Sequence, residues 1–452
     1  MTVARVERFA RELEPLRIAS VRAAALTKTE ARRQALLSSL GENWEEARTR
    51  AAAIKDAVLD DLKSKLLQLE ETCQRNGIQV HWAVDGESAR RQILNIVENA
   101  AGPNATIVKA KTMATEEIHL NHALEAAGHE VVETDLGEFV VQLDHDTPSH
   151  IVMPIIHKNR YDVAKAFDRE GIGPYTEDPT ELALQARAHL REKFRKADVG
   201  ISGVNFAVAE TGRLVLVENE GNNRLSTTAP KTHIAVMGIE KVIPSESDLP
   251  LFLKLLVASA TAQHMVSYVH FISGPRRPDE EDGPEQVHLI LLDNGRTKAC
   301  SGRYRSILRC IRCGACQNAC PVYRATSGHA YGHVYAGPIG AVLANVLDGV
   351  QAQGELSKAS SLCGLCEEVC PVKIPIPEML LQLRDEYVRG GGDPGGPWEL
   401  FAKAATDSGK WKGALTAIDY AGPLAGFFKG WSERREPPAR IGRDFRKWWR
   451  GR

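Results

Sequence analysis

Residues 1–76 show a helical pattern of apolar and polar positions. In the second half of this segment an apolar residue recurs every three or four positions, which places these side chains on one face of a helix. The apolar stripe consists of Ile54, Val58, Leu62, Leu66 and Leu69. Gly77 follows Asn76 and suits the left-handed conformation at a helix C-terminus. We therefore predict that residues 1–76 form a helical arm for packing or assembly.

The pattern changes at residue 78, where short apolar runs begin to alternate with amphipathic segments. Strands are predicted at 78–84, 106–108, 131–132, 149–157, 205–210, 213–218, 233–236, 241–243 and 288–292. Helices are predicted at 87–101, 115–128, 180–196 and 251–262. Strands that alternate with helices are typical of a parallel sheet. Residues 77–295 are therefore predicted to be an α/β domain, with a β-hairpin over residues 205–218.

Polar side chains stand where several predicted strands end. Lys109 and Lys111 precede a helix that we expect Thr115 to cap, and lysines beside a helix N-terminus attract anions. Polar residues also crowd the loop after the hairpin, and such loops often carry sites. The candidate anion-binding or substrate-binding residues are Lys109, Lys111, His157, Glu218 and Asn222. Solvated lysines, a hydrogen-bonded structural histidine and ordinary turn residues are the alternative interpretations.

The overall composition is that of an ordinary water-soluble protein. The 452 residues are 43% hydrophobic and 25% charged, with a formal net charge of -1, which gives no reason to expect a nucleic-acid partner. The charged N-terminus lacks the apolar core of a signal peptide, and no segment approaches the roughly 20 apolar residues of a membrane-spanning helix. We therefore predict a cytoplasmic protein without a transmembrane segment.

The C-terminal residues 390–452 differ in amino-acid composition from the rest of the chain. A Gly/Pro-rich stretch at 390–397 is predicted to be a flexible linker. Residues 429–452 carry nine Lys and Arg against three Asp and Glu, with Trp448 and Trp449 among them. We predict a tail that docks on a partner subunit through its tryptophans. Contact with an anionic membrane surface or a nucleic acid is the alternative interpretation of this basic tail.

Seven of the nine cysteines form two related motifs. The first motif is Cys310-x2-Cys313-x2-Cys316-x3-Cys320-Pro321, and the second is Cys363-x2-Cys366-x3-Cys370-Pro371. Bacterial-type ferredoxins use this spacing to hold iron–sulfur clusters, and the last cysteine of each run ligates the other cluster. A zinc ribbon would need closed pairs of ligands and a redox dithiol only two cysteines. We therefore predict a two-cluster, helical ferredoxin-type domain over residues 300–389, with helices at 338–350 and 377–388.

The crossed arrangement gives the two clusters unequal ligand sets. One cluster is assigned Cys310, Cys313, Cys316 and Cys370, and the other is assigned Cys320, Cys363 and Cys366. Ser360 stands where a full second motif would have its first cysteine, and Cys300 is an alternative eighth ligand. Both clusters are predicted to be [4Fe-4S], unless the second is [3Fe-4S] or has a non-cysteine ligand.

Five segments resemble the lactate-utilisation protein B family. They are Glu133-Thr-Asp-Leu-Gly-Glu138, Pro148-Ser-His-Ile151, Ser202-Gly-Val-Asn-Phe206, Glu218-Asn-Glu-Gly-Asn222 and Cys310-Ile-Arg-Cys-Gly-Ala-Cys316. The resemblance implies a lactate-utilisation (LUD) domain, similar in fold to sugar-phosphate isomerases and CoA-transferases, joined to the cluster domain. The family's seven cluster cysteines carry over to the seven named above, and the catalytic residues stay unassigned.

The same resemblance implies a function in electron transfer. It predicts the iron–sulfur subunit of a complex that oxidises L-lactate to pyruvate, together with a cysteine-rich protein A and a LUD-domain protein C. A G-x-G-x-x-G match occurs only within the Gly/Pro-rich stretch at 390–397, which follows no predicted strand, and no P-loop is present, so a nucleotide site of the usual kind is not expected. Two alternatives stay open: an electron-transfer subunit for another 2-hydroxy acid or polyol dehydrogenase, and a non-catalytic iron–sulfur scaffold or redox sensor.

Overall fold

The computed structural model describes residues 15–41, 43–392, 397–421 and 449–451. The chain divides after Gly390 into two compact units. The first unit contains the helical arm, the α/β region and the cysteine motifs. Within the described residues, no helix is long and apolar enough to cross a bilayer.

A six-stranded parallel sheet forms the centre of the first unit. Its strand order is β1-β10-β7-β4-β2-β3, and every neighbouring pair is parallel. The strands are β1 Gln79–Ala83, β2 Thr106–Lys109, β3 Glu130–Glu133, β4 Val199–Gly203, β7 Thr232–Gly238 and β10 Gln286–Leu292. Strand β7, between β4 and β10, is buried along its whole length. Both faces of the sheet are therefore covered, as is usual for parallel sheets. The predicted α/β class is confirmed.

A smaller sheet contains the predicted hairpin. Its order is β8-β5-β6-β9, with β5 Phe206–Val208, β6 Arg213–Glu218, β8 Val242–Ile243 and β9 Tyr268–Ile272. β5 and β6 are antiparallel, and Gly212 in their turn has a φ of +69°. A side chain at Gly212 would clash with the backbone of Thr72, because a Cβ there would lie 2.6 Å from the Thr72 carbonyl carbon. The hairpin therefore packs directly on the arm.

The strand predicted over residues 149–157 is wrong. Residues 149–157 form bends and turns instead. The imidazole Nδ1 of His150 accepts the backbone N–H groups of Val152 and Met153, each at 3.0 Å, and the Ser149 N–H donates to the Pro154 carbonyl at 3.0 Å. Because these local bonds satisfy the backbone, the segment has no need of a neighbouring strand.

Helices make up the rest of the first unit. The arm contains α-helices Pro15–Arg22, Ala31–Leu40, Asn43–Asp60 and Leu62–Arg75, with a π-helix at Ala23–Glu30. The α/β region contains Gly86–Ala101, Met113–Glu117, Leu120–Ala126, Leu136–Leu143, Arg160–Arg169, Pro179–Lys196, Asn222–Thr228 and Leu249–Thr261. The C-terminal part contains Arg296–Cys300, Ala315–Ala319, Pro321–Thr326, Gly337–Asp348, Val350–Gln353, Leu365–Glu368 and Ile376–Arg389. Short 3-10 helices lie at Ile239–Lys241, Glu246–Asp248, Arg305–Arg309, His329–Tyr331 and Gly354–Lys358.

One hydrophobic core joins the arm, the small sheet and the cysteine region. Leu66 of the arm, Phe206 of the small sheet and Tyr323 after the first cysteine motif belong to the same buried cluster. Fully burying side chains of this size contributes about 1.5–3 kcal/mol each. The hydrophobic core is continuous across residue 76 and across residues 295–300. The predicted domain boundaries at these positions therefore stay predictions.

The second unit contains helices where only a linker and tail were predicted. Pro397–Ala405 and Ser408–Ala421 are α-helices, and the ring of Phe401 contacts that of Trp411 edge-on, with centroids 5.7 Å apart. Aromatic contact between two amphipathic segments gives a reason for this local order. Trp449 is exposed, whereas residues 393–396 and 422–448, which include Trp448, lie outside the described residues.

Candidate functional site

The structure brings four of the motif cysteines to one small cavity. Three come from the first motif and one comes from the second, about fifty residues later in the chain. They are Cys310, Cys313, Cys316 and Cys370. Apolar side chains such as Ile339, Ile374 and Ile376 complete the lining. The last cysteine of the second motif therefore lies with the first motif.

The other three motif cysteines lie together in a second group. The Cys366 thiol lies close enough to those of Cys320 and Cys363 to interact with them electrostatically. Cys320 belongs to the first motif and Cys363 to the second. Cys320 and Cys366 are buried, whereas Cys363 is exposed. The second group therefore reaches the surface of the first unit at Cys363.

The two Cys-x2-Cys loops follow the same backbone path. In the first loop Arg312 and Gly314 have φ values of +61° and +73°, and in the second Leu362 and Gly364 have φ values of +56° and +87°. Glycine adopts this left-handed region without strain, whereas arginine and leucine do not. The loops are thus structural repeats in which Arg312 and Leu362 occupy equivalent positions.

Backbone N–H groups point at three of the sulfur atoms. The N–H of Arg312 donates to Cys310 Sγ at 3.4 Å, that of Ile374 to Cys370 Sγ at 3.4 Å and that of Tyr323 to Cys320 Sγ at 3.5 Å. Burial raises the pKa of the Cys370 thiol to about 11 and that of Cys366 to about 12. Buried sulfurs that already receive N–H donors fit iron–sulfur ligation, because metal binding deprotonates such thiols.

Among the described residues, no cysteine outside the four-cysteine cavity is added to the second group. The Ser360 hydroxyl oxygen accepts the backbone N–H of Leu362 at 3.1 Å. The thiol of Cys300 donates to the Leu59 carbonyl at 3.4 Å, so it faces the arm. The charged side chain of Arg324 lies close enough to Cys320 and Cys363 to interact with them electrostatically. The second group thus consists of three cysteines.

A larger cavity of about 360 Å³ lies at the carboxyl edge of the six-stranded sheet. Lys111 and Thr112 follow β2, Val204 follows β4 and Glu240 follows β7, and all four line it. Parallel α/β sheets usually bind ligands at this edge, and the volume suits a small molecule. The cavity is therefore the candidate substrate site.

Three of the five predicted binding residues line this cavity. They are Lys111, Glu218 and Asn222. The Lys111 ammonium donates to the Val152 carbonyl at 2.5 Å. Asn222 begins the helix Asn222–Thr228 directly after the β6 loop. The loop after the hairpin therefore does form part of a pocket.

Lys109 is not available to an external anion. Its side chain is fully buried, and its ammonium lies 2.7 Å from Glu133 and 3.1 Å from Glu116. It also donates to the Thr115 hydroxyl at 3.1 Å. Thr115 is therefore inside the helix, and Thr112 caps the helix by accepting the Ala114 N–H. The predicted cap at Thr115 is wrong, because the helix begins one turn earlier.

His157 lies away from the cavity lining, so the prediction of a binding role is not supported. Its ring nitrogens bond the Ser149 hydroxyl at 2.6 Å and the Asp146 carboxylate at 3.0 Å. Asp146, His157 and His329 have the spacing of a metal site. However, Lys158 places its ammonium 2.8 Å from the same Asp146 oxygen, and a cation there opposes binding of another cation.

Acidic side chains form one wall of the cavity. Glu218 accepts the backbone N–H groups of Asn223 and Arg224 and lies 2.5 Å from the His270 ring. Glu220 is exposed to solvent where it lines the cavity, and partial desolvation with the nearby Asp135 carboxylate raises its pKa to about 7. Glu220 is therefore a candidate general base, because a base works best when its pKa lies near the working pH.

Cationic side chains form another part of the lining, and the sequence pattern did not select them. Arg296, Arg312 and Lys241 all line the cavity. Arg296 bonds Glu117 through two nitrogens, each at 2.8 Å, and Glu240 at 2.6 Å. The sequence places Arg312 between Cys310 and Cys313, but this position does not indicate that its side chain faces a cavity.

Two residues line both the large cavity and the four-cysteine cavity. They are Ile151 and Arg312. The candidate substrate site and the four-cysteine site are therefore separated by single side chains. The three-cysteine group does not line either cavity and reaches the surface at Cys363.

Two family models match this chain. The LUD domain model matches residues 66–292, and the 4Fe-4S dicluster domain model matches residues 306–374. Together they define an iron–sulfur protein in which an α/β LUD domain is joined to a dicluster domain.

Relatives match this chain over nearly its whole length. Lactate utilization protein B of Bacillus licheniformis is 45% identical over 444 residues, which cover 95% of this chain and 92% of the relative. The uncharacterized electron transport protein YkgF of Escherichia coli is 42% identical over 435 residues, which cover 93% and 90%. The chain therefore belongs to the lactate utilization protein B family. A solved DUF162 family protein from Deinococcus radiodurans covers 51% of this chain and 98% of its own, at 13% identity, with a TM-score of 0.28, too low to support an argument.

Proposed function

We propose that this protein is the iron–sulfur electron-transfer subunit of a cytoplasmic assembly that oxidises L-lactate to pyruvate. Its partners in the proposal are the cysteine-rich lactate-utilisation protein A and the LUD-domain protein C. The observation that carries the proposal is the shared wall between the candidate substrate cavity and the four-cysteine site, formed by Ile151 and Arg312. Electron transfer favours such proximity between a substrate and a redox centre.

The cysteines are proposed to hold two [4Fe-4S] clusters. Cys310, Cys313, Cys316 and Cys370 hold one, and Cys320, Cys363 and Cys366 hold the other. The second has a non-cysteine ligand at its open position, or is [3Fe-4S]. When bound, such clusters accept and release single electrons. The exposed position of Cys363 supports a partner that exchanges electrons at that surface.

The walls of the cavity support a small 2-hydroxy acid as the substrate. Oxidation of its CH–OH group to a carbonyl removes the hydroxyl proton and, from carbon, a hydrogen with two electrons, which the proposal assigns to a two-electron acceptor in a partner subunit that passes single electrons to the clusters. Glu220, with a pKa of about 7, takes the hydroxyl proton in this proposal, since a base with that pKa works well near neutral pH. The cationic side chains Lys241, Arg296 and Arg312 in the same lining support binding of a carboxylate.

L-lactate should reduce the anaerobic, reconstituted assembly of this protein with proteins A and C. We expect loss of the visible cluster absorbance and new EPR signals with L-lactate, and neither change with glycerol. Leaving out protein A or protein C in turn identifies which partner the reduction needs. Turnover that survives removal of both clusters would refute the electron-transfer proposal, and equal reduction by glycerol would point to a polyol dehydrogenase.

The rate of lactate-dependent reduction should rise as the pH increases through about 7. Only the deprotonated form of Glu220 accepts a proton, and its pKa is about 7, so the rate falls about tenfold per pH unit below that value. Glu220→Gln should lower the rate by about 10²–10⁴-fold and remove this pH dependence. Glu71→Gln, on an exposed helix position, is the control. An unchanged pH profile in Glu220→Gln would exclude Glu220 as the base.

A further inference from the structure

Arg312 places a cation with a free nitrogen between the large cavity and the cluster loop. Its side chain is 9% exposed, and Nη2 lies 3.1 Å from Glu240. Its guanidinium lies over the ring of Tyr335, 4.8 Å from the ring centroid. Within the described residues, Nη1 has no hydrogen-bond partner. A buried N–H group without an acceptor is costly, so an acceptor is expected at this point.

The cluster loop itself does not require an arginine. Leu362 occupies the equivalent position of the repeated loop with nearly the same φ, +56° against +61°. An apolar side chain is therefore compatible with this backbone beside a cluster site. The charge of Arg312 must serve something that the second loop lacks, and only the first loop borders the large cavity.

Lys241 is a second cation on the same wall. It lines the cavity, within electrostatic range of Arg312 and Glu240. In the part of the chain that the structure describes, its ammonium has no hydrogen-bond acceptor or ion-pair partner. Burial lowers its pKa to about 8, so the side chain is still mostly charged at neutral pH.

The charges around this wall do not balance. The cations are Lys55, Lys241, Arg296 and Arg312, and the carboxylates that face them are Glu117 and Glu240. Two positive charges are left without a carboxylate. Because unpaired buried charges are expensive, the wall favours a bound anion.

We propose that Arg312 Nη1 and Lys241 Nζ bind the carboxylate of a small 2-hydroxy or 2-oxo acid. This assignment rests on the proposed function and names the residues that select its substrate class. It orients the acid with its carboxylate against the cluster loop and its hydroxyl toward the wall that contains Glu218 and Glu220. The substrate site is then completed by a residue of the dicluster domain.

The competing explanation is that these cations only offset the negative charge of a cluster. Lys55 separates the two explanations. It lies within electrostatic range of Cys310, as Lys241 and Arg312 do. Its ammonium, however, donates to the backbone carbonyls of Glu240 and Val242, and it does not line the cavity. Lys55→Met therefore removes a nearby charge that does not line the cavity, and iron content together with lactamide affinity shows whether loss of its two carbonyl bonds beside Lys241 disturbs the site.

Anaerobic calorimetry on the cluster-containing protein tests the proposal. The titrants are L-lactate, pyruvate and the uncharged analogue lactamide, and the variants are Arg312→Leu, Lys241→Met and Lys55→Met. We expect the Kd of both acids to rise at least tenfold in Arg312→Leu and Lys241→Met and to stay within twofold in Lys55→Met. Lactamide should bind at least tenfold more weakly than L-lactate to the wild type, and no variant should change its affinity further.

Iron and sulfide content is measured for each variant, and if Arg312→Leu loses a cluster, Lys241→Met decides the outcome. Absence of acid binding in the wild type, unchanged affinity in Lys241→Met, or an equal loss in Lys55→Met would overturn the proposal. If the variants lose acid binding although L-lactate fails to reduce the reconstituted assembly, the carboxylate site stands and the proposed function falls.

Discussion

Replacing Cys370 with serine should empty the four-cysteine site and leave the three-cysteine site occupied. Cys370 belongs to the second motif but lines the cavity of Cys310, Cys313 and Cys316, so its loss removes a ligand from the first group. Cys320→Ser should do the reverse, because Cys320 lies with Cys363 and Cys366. Each variant should lose about half of the iron and sulfide, and EPR should show which cluster signal disappears.

Cys370→Ser should also abolish lactate-dependent reduction, since the four-cysteine site borders the candidate substrate cavity. Cys300→Ser is the matched control: its thiol donates to the Leu59 carbonyl, a bond that a serine hydroxyl can also make. This control should retain full iron content. Identical spectral losses in Cys370→Ser and Cys320→Ser would show that the ligands are not crossed, and iron loss in Cys300→Ser would make Cys300 a ligand.

The cysteine motifs were readable from the sequence because their information is local. Ligands with two residues between them fit a tight loop, and the repeat of Cys-x2-Cys with a following Cys-Pro identifies the same loop twice. The structure adds Arg312, which no spacing rule selects. Its importance depends on Glu240 and Tyr335, which are distant in sequence and meet it only in the folded chain.

The anion site predicted at Lys109 was wrong because the sequence pattern at the end of one strand does not show which residues lie on the neighbouring strand. The parallel register places Lys109 directly beside Glu133 on the neighbouring strand. That pairing depends on which strands are neighbours, and the order β4-β2-β3 is not visible in the local pattern. The lysine two residues further along, Lys111, points into the cavity, because the chain has left the sheet there.

The cationic wall was missed for a related reason. Lys241 and Arg296 stand after strands β7 and β10, which are neighbours in the sheet although almost fifty residues separate them in sequence. Carboxyl ends of neighbouring parallel strands meet at one edge, so these cations converge only once the strand order is known. The apolar run at 149–157 was misassigned because hydrophobicity predicts burial, whereas the side chain of His150 determines the turn.

Arg296→Met should destabilise the first unit by about 3–5 kcal/mol, the usual effect of removing one partner from a buried ion pair. The Arg296 side chain is 2% exposed and bonds Glu117 and Glu240, which are 3% and 1% exposed. Methionine fills most of the space but leaves Glu117 without its ion-pair partner and Glu240 with Arg312 as its remaining one. Urea unfolding of the anaerobic protein, followed by circular dichroism, measures the change. Arg303→Met, at an exposed arginine that bonds Glu386, is the control and should unfold as the wild type does.

The pH dependence of this loss distinguishes lost charge pairing from lost packing. Although burial alone raises it, Arg296 and Arg312 lower the pKa of Glu240 to about 2, so in the wild type this carboxylate stabilises the fold above pH 4.5 and less as the pH falls toward 2. Without Arg296 the carboxylates should take up protons at higher pH. The difference in unfolding free energy between wild type and Arg296→Met should therefore shrink as the pH falls from 7 to 5, and adding Glu117→Gln should restore part of the stability at pH 7. A difference that stays constant with pH and is not reduced by Glu117→Gln would mean that packing of the arginine side chain, and not its charge, joins the LUD domain to the cluster loop.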